Sequence, residues 1–85
     1  MPTKSVVVGS AVGLHARPAA LISEAAGELD TEVTIGKPGE EPVDASSALL
    51  IMTLGSKKGD TVEVSGDDQA AVDKIAAMVE QDLDA

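Results

Sequence analysis

An α+β fold, in which an antiparallel sheet is covered on one face by helices, is predicted by three observations on this sequence. A β-branched cluster stands at Val6-Val7-Val8, and apolar residues alternate at Val33 and Ile35 and at Val62 and Val64, a period of two that suits half-buried strands. Two longer stretches, one after His15 and one after Asp68, repeat their apolar residues at three and four positions, as a helix lying on a sheet does. The link through Pro38-Gly39 is so short that the strands flanking it must run antiparallel.

Thr3 to Val8 reads as the first strand, closed by Gly9. Ser10 to Leu14 is a loop that carries the chain to His15, where a helix begins. Pro18 suits the first turn of that helix, because its missing N–H has no partner to lose there. The helix runs to about Leu29, with Leu21, Ile22, Ala25 and Leu29 on its apolar face and Gly27 fraying the last turn. Glu32 to Lys37 is a strand with Val33 and Ile35 inward. A short edge strand returns around Val43, flanked by Pro42. Ser46 to Gly55 reads as a short helix that serine caps and glycine ends. Asp60 to Ser65 is the last strand. Asp67 or Asp68 caps a final helix whose stripe is Val72, Ile75, Val79 and Leu83, and Asp82 and Asp84 crowd its negative end and should let it fray.

Eighty-five residues suffice for one domain, residues 1–85, with a single two-layer core. The absence of cysteine excludes disulfide and thiolate chemistry and suits a reducing cytosol. One histidine without cysteine leaves only carboxylates as metal ligands, and no calcium-loop spacing occurs, so neither metal nor cofactor is expected. The opening Met1-Pro2-Thr3-Lys4 lacks an apolar signal core and no apolar run reaches membrane-spanning length, which predicts a soluble, cytoplasmic protein. A net charge of −9 with no aromatic residue argues against a nucleic-acid partner.

Chemistry concentrates in Gly13-Leu14-His15-Ala16-Arg17-Pro18, which sets the one histidine at a helix start. Free N–H groups and the dipole make such an end receptive to anions, and Arg17 adds a permanent charge two residues on. Residues 1 to 23 contain Lys4 and Arg17 and no acid, whereas all 15 carboxylates follow from Glu24 onward. An imidazole in the acid-free part of an acidic chain suggests phosphoryl transfer: near neutral pH its lone pair attacks phosphorus, and the phosphorylated ring leaves readily.

These residues, with Ser47, Met52-Thr53-Leu54-Gly55 and Gly59-Asp60, resemble the HPr phosphocarriers of the bacterial phosphoenolpyruvate:sugar phosphotransferase system over essentially the whole chain. The resemblance implies an open-faced sandwich with strand order 1-4-2-3. It implies that His15 accepts phosphate at Nδ1 from Enzyme I and delivers it to sugar-specific IIA proteins, with Arg17 and the backbone of Ala16 and Arg17 steadying the phosphate. It implies a relay protein without turnover of its own, a monomer, with regulatory proteins as further partners. Ser47 aligns with a serine whose phosphorylation regulates many low-GC Gram-positive members, although a serine here also simply caps a helix. An HPr paralogue of a nitrogen-related branch would keep His15 and change the acceptors. An acyl-carrier-like protein is a poorer match, since it would need an Asp-Ser-Leu signature and an all-helical fold. An acylphosphatase-like enzyme would need an asparagine, and the chain has none.

Ala48, Leu49, Leu50, Ile51 and Met52 circle the short helix completely at about 100° per residue, so some must face water. Ile51 and Leu54 form the best inward pair, leaving Leu49, Leu50 and Met52 outside. Exposed apolar clusters mark interaction surfaces. The resemblance sets this helix beside His15 and the outer side of the first helix at Ala20 and Glu24, so Ala20, Glu24, Ala48, Leu49, Leu50 and Met52 are the expected partner interface.

Overall fold

A computed structural model describes residues 2–10 and 13–81. The elements are β1 (Thr3–Val7), α1 (Ala16–Gly27), β2 (Val33–Gly36), β3 (Val43–Asp44), α2 (Ala48–Thr53), β4 (Thr61–Gly66) and α3 (Gln69–Glu80). The strands form one antiparallel sheet in the order β1-β4-β2-β3. The expected α+β open-faced sandwich and its 1-4-2-3 order are thereby found. The expected places of Leu83, Asp82 and Asp84, and the Ala11-Val12 part of the first loop, lie outside the described residues.

Register follows the alternation of apolar side chains. Val6 pairs with Val62 and Ile35 with Val64, so both pairs bury on the helical face while Thr3, Ser5 and Val7 face outward. A slip of one residue would expose every one of the buried pairs. Against this face lie Ile22 of α1, Ile51 of α2, and Val72, Ile75 and Val79 of α3, all essentially inaccessible to water. Each such side chain contributes about 1.5–3 kcal/mol by leaving water. Alanines at 71 and 76 let α3 approach the sheet closely, whereas Ala19 and Ala26 are buried on α1, which packs against α2 and α3.

The buried face of α1 is Pro18, Ala19, Ile22 and Ala26, not the Leu21-centred stripe. Leu21 lies about 100° round the helix from Ile22 and is 38% exposed, a correction to the expected face. Ala25 and Leu29 are half-buried. The helix stops at Gly27, two residues short of Leu29, and its end tightens: the Glu28 and Leu29 N–H groups donate three residues back, to Ala25 and Ala26 carbonyls.

Asp68, not Asp67, caps α3 by accepting from the Ala70 N–H. The α2 cap separates the two neighbouring serines. Ser47 accepts the Leu50 N–H, whereas Ser46 donates both its N–H and its hydroxyl to the Asp44 carboxylate. Those two bonds hold the Asp44 carboxyl below its ordinary value, outweighing a slight desolvation. At the other end of α2, Gly55 takes a φ of +64° just past the C-cap Leu54, the left-handed turn that glycine makes at little cost.

The end of β1 is tied to the end of α3. The Gly9 N–H donates to the Val79 carbonyl and the Ser10 hydroxyl to the Gln81 carbonyl. A Cβ at position 9 would fall 1.9 Å from the Glu80 carbonyl oxygen, so only glycine permits this approach. Among the described residues no helix is long and apolar enough to cross a membrane.

Candidate functional site

His15 is the N-cap of α1, in extended conformation (φ −98°, ψ −160°), and its carbonyl accepts the Ala19 N–H at 2.8 Å. Its side chain makes no capping bond, so the imidazole stands exposed instead of being spent on the helix. Ala16 and Arg17 occupy the first two helical positions, where N–H groups have no partner within the helix. Pro18 stands third and has none to offer. Two main-chain donors therefore stand at the start of α1 beside the imidazole, and the exposed Arg17 belongs to the same first turn.

The residues before His15 explain how it is held. Gly13 has a φ of +73°, and a Cβ there would meet the Ser56 carbonyl oxygen at 2.2 Å. The next N–H, of Leu14, donates to that same carbonyl at 3.0 Å, and the Leu14 side chain is buried. The backbone thus presses onto residues 56 and 57, with His15 as the first side chain beyond the contact to turn toward water.

A hollow of about 240 Å³ opens there, lined by Leu14, His15, Met52, Gly55, Ser56 and Lys57. Met52, expected outside, is half-buried and packs against the core, because the hollow's wall runs inward from the C-terminal end of α2. Ser47 lies at the opposite end of α2, about 9 Å along the helix axis. Leu49 and Leu50 are exposed, at 70% and 40%, and Ile51 alone of the helix is fully buried, with Leu54 half-buried beside it. Ala48 is half-buried, and Ala20 and Glu24 are exposed on α1, which packs against α2.

Lys4, grouped with Arg17 by the charge split along the sequence, does not join it in space. Its ammonium is 3.8 Å from Asp73 of α3. The basic residue that lines the hollow is Lys57, which follows α2 and which nothing local in the sequence connects to His15.

The chain matches the family described as "PTS HPr component phosphorylation site" over residues 2–81. The chain belongs to the HPr phosphocarrier family of the phosphotransferase system. Relatives of this HPr-family chain include phosphocarrier protein HPr of Streptomyces coelicolor, 37% identical over 99% of this chain and 94% of that protein. Phosphocarrier protein NPr of Shewanella violacea is 36% identical over 95% and 91% respectively. Among solved structures, an HPr from Bacillus anthracis superimposes with a TM-score of 0.84 at 32% identity, covering 92% of this HPr-family chain and 95% of the other.

Proposed function

We propose that the protein is a phosphoryl relay in which His15 Nδ1 accepts the phosphoryl group of phosphorylated Enzyme I, drawn from phosphoenolpyruvate, and passes it to sugar-specific IIA proteins. The observation that carries this reading is the exposed imidazole at the N-cap of α1, uncommitted to the helix it begins. The imidazole lone pair attacks phosphorus in line, an N–P bond forms as the bond to the donor breaks, and the acceptor later reverses the exchange. The Ala16 and Arg17 N–H groups and the Arg17 guanidinium share the charge of the bound group. Their hold must stay moderate, since a phosphate bound too tightly would not move on.

On this reading residues 1–85 act as one domain that works as a substrate of its partner enzymes rather than as an enzyme. It is a cytoplasmic monomer that needs no cofactor. Leu49 and Leu50, with Ala48, Met52, Ala20 and Glu24 around them, form a small transient interface shared by successive partners. Phosphate placed on Ser47 by a kinase would sit at the start of α2 and add charge to that interface.

Incubation with phosphoenolpyruvate and Enzyme I tests the reading. A mass gain of about 80 Da, one phosphoryl group, is expected in the wild type and none in His15→Ala. Equal labelling of His15→Ala would refute the site. A second reading, a paralogue serving a nitrogen-related branch, is favoured by the similarity to an NPr phosphocarrier. It keeps His15 and is separated by which acceptors take the phosphate from a panel of IIA proteins.

A further inference from the structure

We propose that Lys57 is a second cation for the phosphoryl group on His15, facing it from the wall opposite the start of α1; this rests on the relay reading above. Lys57 is held in place by main-chain bonds. Its N–H donates to the Asp60 carboxylate at 3.0 Å, its carbonyl accepts the Asp60 N–H at 2.9 Å, and the Gly59 N–H donates to the Val8 carbonyl at 3.0 Å. On its other side the Lys57 Cα would lie 2.8 Å from a Cβ on Gly13, two residues before His15. The backbone of Lys57 is thus locked to both ends of the segment that carries the histidine.

Among the described residues no carboxylate pairs with the ammonium. The ion pair found among the described residues is Lys4–Asp73, and the acid nearest in the chain, Asp60, spends a carboxylate oxygen on the Lys57 main chain. Lys57 is exposed and lines the same hollow as His15. Ser56 lines it too, and its hydroxyl is buried with no hydrogen-bond partner, a donor left over on this wall. Buried hydroxyls in native proteins nearly always find a partner. A phosphoryl group adds up to about two negative charges to its site, here in a protein whose net charge is already −9. Arg17 answers from the α1 side, and Lys57 answers from the other. Lys58, next in the chain, does not line the hollow.

Phosphoprotein free of any partner separates this role from recognition of an acidic partner surface. The wild type, Lys57→Gln, Lys57→Arg and Lys58→Gln are phosphorylated with Enzyme I, or with phosphoramidate where Enzyme I is slow, and the ³¹P signal of the phosphohistidine is followed against pH. A cation about 5 Å away through water-like dielectric shifts such an ionisation by about half a pH unit. Lys57→Gln should move the midpoint upward by that amount, because the more charged phosphoryl form loses its counter-charge. Lys57→Arg should restore it, and Lys58→Gln should leave it unchanged. A midpoint indifferent to Lys57→Gln in a fully loaded protein would overturn this inference alone. A wild type that takes up no phosphate by either route would overturn the relay reading and the inference with it.

Discussion

Replacing Gly13 by alanine tests whether the histidine loop is held by close backbone contact. The residue has a φ of +73°, so an alanine there carries the left-handed cost, about 1–2 kcal/mol. Its Cβ would also lie 2.2 Å from the Ser56 carbonyl oxygen and 2.8 Å from the Lys57 Cα, both backbone atoms that cannot swing aside. Forcing them apart costs about 1–3 kcal/mol, as overpacking does. It also stretches the Leu14–Ser56 hydrogen bond, with a net worth of about 1 kcal/mol. These costs share one movement and do not sum, so a loss of roughly 3–4 kcal/mol is expected. Gly55→Ala is the matched control: its φ is +64°, and nothing lies within 4 Å of the added Cβ, leaving only the backbone cost of about 1–2 kcal/mol. The chain has no tryptophan, tyrosine or phenylalanine, so urea and thermal unfolding are followed by far-UV circular dichroism. The difference between the variants should be about 1–3 kcal/mol, or roughly 4–24 °C in Tm for a domain of this size. Equal losses in Gly13→Ala and Gly55→Ala would refute the close-contact account.

Two other perturbations follow from the observed geometry. Asp44 has a carboxyl held below its ordinary value in the folded state by Ser46, so its contribution is complete above about pH 3.9 and is lost as pH falls through the lower native value. The urea midpoints of wild type and Asp44→Asn should therefore converge between pH 7 and pH 2.5, and a gap that widens on acidification would contradict the assignment. Leu49 is 70% exposed at the second position of α2, where an aspartate suits the helix dipole. Leu49→Asp should leave stability within about 0.5 kcal/mol yet weaken Enzyme I and IIA binding by about 1–3 kcal/mol in titration calorimetry; a large fall in Tm with affinity preserved would count against an interface role.

Much of the fold was legible because local signals agreed with one another. Alternation around Val33–Ile35 and Val62–Val64, a proline-glycine turn, and polar caps before two helices each point to the structure found. Misreadings arose where three-dimensional packing decides between local options. Leu21 and Ala19 both fit a helical stripe, and it is the smaller residue that is buried where α1 packs against α2 and α3. Ser46 and Ser47 are equally good caps on paper, and Asp44 claims the first of them. In the candidate site, His15 and Arg17 were legible from the helix start that joins them. The wall formed by Gly55, Ser56 and Lys57 was not, because it meets Gly13 and Leu14 only through a contact spanning about half the chain.

The bond from Gly9 to Val79 bears on how the protein is made. The N-terminal strand pairs with β4, reached some sixty residues later, and its last residues dock on the final turn of α3. Contacts of such sequence separation form late and slow folding. During synthesis, the segment that presents His15 leaves the ribosome early, but Ser56 and Lys57 on which it rests, and the residues near 81 that hold Gly9 and Ser10, emerge only later. On the relay reading, a nascent chain therefore carries its imidazole on a loop not yet fully anchored, and only a chain elongated through α3 should take up phosphate. Truncation within α3 should silence the protein as completely as loss of the histidine itself, although no residue removed lies in the hollow beside it.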